Sequence, residues 1–242
     1  MDFKLGVNHT LFVRAWIQLP CYNIWRFWNL TFYSLFEDVF TMKKLLISAV
    51  VAAASLTAVP AIAGDAAAGK SKSAVCAACH MADGNSVNPL WPKLAGQHEG
   101  YMVKQLEEFK STARKDPIMM GQVAALTEED MDNLAAYFST QTLKGGEADP
   151  ALVEAGKLLY TTGNAKQGVA ACASCHAPNG LGNPAANFPA IAGQHSVYAE
   201  KQLRAFRDGS RANDVNTMMQ DVASNLSDAD IKAVASYIQG LR

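Results

Sequence analysis

Cys76, Cys79 and His80 stand together in "VCAACH", and Cys172, Cys175 and His176 stand together further along in "ACASCH". Two thiols with two residues between them and an imidazole directly behind suit three chemistries: half of a zinc cage, a redox dithiol, or thioether attachment of a porphyrin. A zinc cage needs four ligands, usually two half sites brought into one domain. Here each motif offers two thiols and a histidine in the same turn, which is awkward for a tetrahedron. A redox dithiol opens a helix that follows a strand in a βαβ setting, and no run of alternating strand residues precedes either motif.

The porphyrin reading has a geometric reason. Cysteines one helical turn apart can form thioethers with both vinyl groups of one haem, and the next residue, His80 or His176, then lies under the iron as an axial ligand. Cys21 lies far upstream, so from Met42 onward every cysteine belongs to one of the two motifs. The motif occurs twice, and both copies follow an export signal. This predicts two covalently bound haem c groups.

The sixth iron ligand decides between electron shuttling and substrate chemistry at an open position. His98 and His195 recur in "AGQH", but they fall close behind the axial histidines at a helix edge and read as surface or capping residues. Met119 and Met120 in "PIMMGQ", and Met218 and Met219 in "NTMMQD", follow the middle helix of each copy, in what reads as a loop. Met119 lies seven residues before Leu126 and Met219 seven before Leu226, which favours this pair over Met120 and Met218. Registering instead on Val123 and Val222 pairs Met120 with Met219.

These residues need elements to position them, and the elements come in duplicate. "LAGQHEGYMVKQLEEFK" (94–110) matches "IAGQHSVYAEKQLRAFR" (191–207) at 9 of 17 positions, and "LTEEDMDNLAAYF" matches "LSDADIKAVASYI" at an offset of 100. Each copy reads as helical. A first helix covers about Asp65 to Val75, with Pro150 to Tyr160 as its counterpart. A middle helix runs over about 99–111 and carries Met102, Leu106 and Phe109, matched by Ala199, Leu203 and Phe206. The last helices open on capping boxes at Thr127/Asp130 and Ser227/Asp230 and bury Met131, Leu134, Ala135 and Phe138, or Ile231, Val234, Ala235 and Ile238. So few helices and such long loops make a thin core for each copy, one that an apolar porphyrin would complete.

The chain has 242 residues and a formal charge of −1, with no basic stretch suited to nucleic acid. From Met42 it reads "MKKLLISAVVAAASLTAVPAIAGD": a basic start, an apolar middle and a small-x-small cleavage site ahead of Gly64. Residues 42–63 are therefore expected to be a signal peptide, placing the mature protein in the periplasm. The rival is an uncleaved anchor, for which Leu45 to Ala63 is barely long enough and contains Pro60. Residues 1–41, rich in Phe, Tyr and Trp without a clean period, read as a non-native upstream extension. Beyond Gly64 there are 16 Lys and Arg against 19 Asp and Glu, a formal charge of −3. "LKGGEADP" breaks the helical patterns and divides the rest into domains 64–144 and 145–242.

Taken together, "VCAACHMADGN", "PKLAGQHEGYMVKQL" and the late methionines, repeated as "ACASCHAPNG", "PAIAGQHSVYAEKQL" and "TMM", resemble the dihaem cytochrome c4 family over essentially the whole of 64–242. The resemblance implies an all-α fold of two tandem class I cytochrome c domains, each of three to four helices around its haem and related by a pseudo-twofold. It implies a periplasmic electron carrier, not an enzyme, loosely associated with the inner membrane. Such a carrier takes electrons from a donor such as a quinol-oxidising complex and passes them toward a terminal oxidase. By the same leucine spacing the family's Met ligands fall on Met119 and Met219. Residues 1–41 have no family counterpart. A dihaem peroxidase, which needs one open iron position, and the cytochrome subunit of a dehydrogenase complex are the competing functions.

Overall fold

The computed structural model describes residues 64–242; the upstream extension, the signal segment and Cys21 lie outside the described residues. These residues form one compact, helical unit. The first half contains α1 (Ala66–Lys72), α2 (Ala77–His80), α3 (Glu99–Lys110), α4 (Pro117–Val123) and α5 (Glu128–Ser139). The second contains α6 (Val153–Thr162), α7 (Ala173–His176), α8 (Ser196–Arg207), α9 (Met218–Ser224) and α10 (Asp228–Gly240), with short 3-10 turns at Pro184–Ala186 and Val215–Thr217. Among the described residues the only strand-like pairings are two isolated bridges.

Local chemistry sets the helix ends. Asp65 caps α1 by accepting from the Ala67 and Ala68 amides, and α5 and α10 open on reciprocal capping boxes at Thr127/Asp130 and Ser227/Asp230. One start departs from expectation. Pro150 stands ahead of α6, because Asp149 holds the Ala151 and Leu152 amides in a turn that carries the proline, and helical geometry begins at Val153. The methionines also depart from expectation. They lie on the short helices α4 and α9, not in loops, because Asp116 caps α4 through the Ile118 and Met119 amides and Asp214 receives those of Met219 and Gln220.

Each half packs its first helix across its last. At the crossing a side chain is excluded: a Cβ on Gly69 would sit 1.9 Å from the Asn133 carbonyl oxygen, and one on Gly156 would sit 2.3 Å from that of Ala233. The two apolar cores are separate. Met102, Phe109, Val123, Met131, Leu134 and Phe138 form the first, and Leu159, Tyr160, Phe206, Ile231, Val234 and Ile238 form the second.

Between the halves the contact is polar and reciprocal. The Lys93 amide donates to Gln194 Oε1 at 2.9 Å and Gln194 Nε2 donates to the Lys93 carbonyl at 3.0 Å. In mirror fashion the Ala190 amide donates to Gln97 Oε1 at 3.0 Å and Gln97 Nε2 to the Ala190 carbonyl at 2.9 Å. A buried cluster joins side chains of α3 and α8 to Arg114, Arg211 and Asn213 in the segments that follow them. Arg114 donates to Gln105, Tyr198 and Gln202; Arg211 donates to Gln202, Tyr101, Gln105 and Asn213. The two arginines are only 8 and 9% exposed, and their guanidinium carbons lie 4.5 and 4.4 Å from the ring centroids of Phe109 and Phe206. Burial pushes the Tyr101 phenol up, but the neighbouring Arg211 and Arg114 charges outweigh it and its pKa falls below the ordinary value. Two halves that each lend the same residues to the contact have the arrangement a twofold-related pair requires.

Candidate haem sites

Cys76 precedes the one-turn helix α2, and the Cys79 and His80 amides both donate to its carbonyl, at 3.2 and 2.9 Å. One turn of helix therefore brings both thiols and the imidazole to neighbouring positions. α7 repeats this with Cys172, Cys175 and His176. All four cysteines are free. Directly after each histidine the chain reverses: Met81 has φ 64 and ψ 161, and Ala177 has φ 64 and ψ 158. That region is costly for any residue with a Cβ, by about 1–3 kcal/mol, so its use at the same place in both halves marks a position set by the site rather than by local preference.

The reversal lets a loop return over the histidine. The Gly84 carbonyl receives the Leu94 and Ala95 amides, and the Gly180 carbonyl receives those of Ile191 and Ala192. Both glycines have φ 71, where a side chain would be strained. The closed loop presents the Pro92 carbonyl to His80 Nδ1 at 2.8 Å and the Pro189 carbonyl to His176 Nδ1 at 3.0 Å. A carbonyl only accepts, so Nδ1 carries the proton in each ring and Nε2 keeps its lone pair. Burial holds both imidazoles below their ordinary pKa, against the opposing pull of the carbonyls, so both are neutral at pH 7. A buried, neutral imidazole with Nδ1 anchored and Nε2 bare suits a metal ligand.

Of the remaining donors, one thiol and one thioether in each half lie against its core, while Cys79 is half-buried and Cys175 is exposed. Cys76 and Met119 are half-buried against the first, and Cys172 and Met219 against the second. Met218 is 39% exposed. Burial raises the Cys76 thiol and pushes Cys172 up to about 11. An exchange-active dithiol needs the opposite shift, toward thiolate. Among the described residues no group of three or more His, Cys, Asp or Glu is placed to hold a metal ion, as a zinc cage would require. The donor set in each half, two unpaired thiols, one tautomerically fixed imidazole and a thioether on the same core, fits a covalently attached haem.

His98 and His195 differ from their sequence reading. They occupy N-cap positions of α3 and α8 but make no side-chain cap, and they face the other half. His98 Nε2 donates to the Leu181 carbonyl at 2.7 Å and His195 Nε2 to the Ser86 carbonyl at 2.8 Å. Sequence reasoning also passed over Gln97, Gln194, Tyr101, Tyr198, Gln105 and Gln202. Their signal lay in the repeat: each is a polar residue identical in both copies but outside the cysteine motif.

Comparison with known proteins agrees with this geometry. The cytochrome c family model matches residues 66–142 and again 153–242. The chain is 48% identical over 210 residues to cytochrome c4 of Stutzerimonas stutzeri, covering 83% of this chain and all of that protein. It is 39% identical over 166 residues to a thiosulfate dehydrogenase electron acceptor of Stutzerimonas stutzeri strain A1501, covering 67% of this chain and 76% of that one. The crystal structure of reduced recombinant cytochrome c4 from Pseudomonas stutzeri superposes with a TM-score of 0.73 at 49% identity, over 74% of this chain and all of that one. The chain belongs to the cytochrome c4 family, all-α electron carriers of two tandem cytochrome c domains with two covalently bound haem c groups.

Proposed function

We propose that Cys76 and Cys79 would hold one haem by thioether bonds, with His80 and Met119 as the ligands of its iron, and that Cys172, Cys175, His176 and Met219 would do the same for the second. When bound, the haem iron would supply one-electron uptake and release. The protein's part is to hold the imidazole in one tautomer through the Pro92 or Pro189 carbonyl, and to pack Cys76 and Met119, or Cys172 and Met219, against an apolar core. The observation that carries this reading is the doubled site: each half presents a buried, neutral histidine whose Nδ1 is held by a proline carbonyl and whose Nε2 has no partner among the described residues, one turn after a cysteine, with a methionine packed on that half's core. A methionine thioether together with a histidine would raise the reduction potential of the iron they hold and leave it no position for substrate, so the reading is a carrier and not an enzyme.

The carrier works in the periplasm, released by cleavage between Ala63 and Gly64, and delivers electrons toward a terminal oxidase, with loose inner-membrane association. Among the described residues no helix is long and apolar enough to cross a membrane. A second reading, acceptor for a dehydrogenase, is favoured by the likeness to the thiosulfate dehydrogenase electron acceptor of Stutzerimonas stutzeri. A pyridine haemochrome assay combined with intact mass tests the core of the proposal: two haems on a chain beginning at Gly64 are expected. One haem, or loss of haem on denaturation, overturns it. Co-purification with a dehydrogenase subunit favours the second reading over oxidase delivery.

A further inference from the structure

The amide between Pro92 and Lys93 is bonded at both ends. Its carbonyl accepts from His80 Nδ1 at 2.8 Å, and its N–H, on Lys93, donates to Gln194 Oε1 of the other half at 2.9 Å. The Pro189–Ala190 amide is used in the same way, accepting from His176 Nδ1 at 3.0 Å while donating to Gln97 Oε1 at 3.0 Å. Each glutamine amide also donates back to the carbonyl of the residue it holds, Lys93 or Ala190. This two-point hold fixes which end of the side chain is oxygen.

We infer that Gln97 and Gln194 are crossed positioning residues: the glutamine of each half sets the strength of the axial histidine's hydrogen bond in the other half, and through it the potential of that half's iron. An amide whose N–H is hydrogen-bonded carries more negative charge on its oxygen, and bonds in such a chain strengthen one another by perhaps 10–30%. A stronger acceptor at Nδ1–H makes the imidazole a more basic ligand, which favours ferric iron and lowers the potential. Gln194 therefore acts on His80 and Gln97 on His176. The link runs through one planar peptide in each direction, so it requires no movement of the halves. It makes the interface a tuning element as well as a packing surface.

The inference rests on His80 and His176 being the axial ligands, and the test separates the two. Gln194→Met and Gln97→Met keep side-chain length and remove the acceptor. In the ferrous holoprotein, NMR follows the Nδ1–H of each histidine, and redox titration with haem methyl signals assigned to each half follows each iron. Gln194→Met is expected to move the His80 Nδ1–H upfield and to raise the potential of the first half's haem alone. The ferric-to-ferrous ratio at fixed poise should change about two- to fourfold, on the order of 20–35 mV. Gln97→Met is expected to do the same to His176 and the second half's haem alone. Gln194→Glu, which keeps an oxygen opposite the Lys93 N–H, leaves the His80 proton downfield and serves if the methionine variant fails to mature. Equal shifts of both haems, a shift confined to the variant's own half, or no shift overturns the inference, since general loosening of the interface produces the first. His80 ring protons without the upfield ring-current displacement of an axial ligand remove the ligand reading and the inference together. Displaced ring protons with an unmoved Nδ1–H overturn the inference alone.

Discussion

Between His80 and Pro92 the first half runs a loop braced by Ser86, whose hydroxyl donates to the Trp91 carbonyl at 2.6 Å. Between His176 and Pro189 the second half runs a loop one residue longer, built on an Asn183–Phe188 bridge and a 3-10 turn. The two loops share few side chains, yet they place a proline carbonyl 2.8 and 3.0 Å from the histidine. What the site requires is the position of one oxygen, and different sequences reach it. The methionine segments teach the same lesson. The first enters α4 directly from Asp116, whereas the second passes through Asn216 and Thr217 at φ 52 and 57 before α9. In both, an aspartate still receives the amide of the inward methionine.

The interface behaves in the opposite way. Its glutamines, tyrosines, histidines and arginines are the same residue types in both halves, while the groups met through their backbone differ, Lys93 against Ala190 and Ser86 against Leu181. The halves are not equal even there: Arg211 serves four partners and Arg114 three. Arg211→Ala leaves buried amide and phenol groups without a charged donor and is expected to cost about 3–5 kcal/mol. Arg114→Ala should cost less, and denaturant unfolding of both holoproteins gives the order. Equal losses would mean that the asymmetry of the bonds has no energetic weight.

A smaller effect is expected where α3 and α8 end. The residue after the C-cap has a left-handed φ in both halves, but it is Thr112 at φ 68 in the first and Gly209 at φ 76 in the second. A Cβ on Gly209 would meet nothing within 4 Å, so the difference is conformational alone. Gly209→Thr is expected to destabilise by about 1–2 kcal/mol, and Thr112→Gly to stabilise by about 0.5–1 kcal/mol after the glycine's unfolded-state entropy is counted. Opposite signs in thermal or urea unfolding sharpen the comparison of the halves; the same sign breaks it.

The smallest expected effect is electrostatic and belongs to the first half alone. Lys144 lies 2.8 Å from Asp83 and, with the Asn85 amide, pulls the carboxyl down to about 2, while the second half carries Asn179 at the corresponding place. A depressed carboxylate stabilises the fold above its unfolded pKa and loses that contribution as pH falls through its folded value. Asp83→Asn is therefore expected to flatten the acid limb of stability between about pH 4 and 2. At neutral pH it should cost below about 1 kcal/mol, because both partners are exposed. Stability profiles of both proteins across that range check it.

The sequence was legible where chemistry demands residue types at short spacing. The CxxCH motifs, the capping boxes and the apolar faces of α5 and α10 are each written within one turn or a few. Less legible was whatever depends on a partner far along the chain. The rings of His98 and His195 are claimed by carbonyls 83 and 109 residues away, so a local reading could only make them surface or capping groups. The α4 and α9 segments read as loop because both are short runs with little apolar period, begun by Asp116 as the N-cap of α4 and by Asp214, which lies ahead of the N-cap Thr217 and receives the Met219 and Gln220 amides of α9. Pro150 misled for the same reason, as the Asp149 turn competes locally with a helix start.

The central claim is that each half supplies one inward methionine, Met119 or Met219, to its own iron. The Met-to-ferric-iron absorption band tests it most directly in the oxidised holoprotein. Met119→Leu and Met219→Leu are each expected to remove about half of the band, as one of two equivalent ligands, while Met120→Leu and Met218→Leu leave it whole. A full band after Met119→Leu, or its loss after Met120→Leu, contradicts the account.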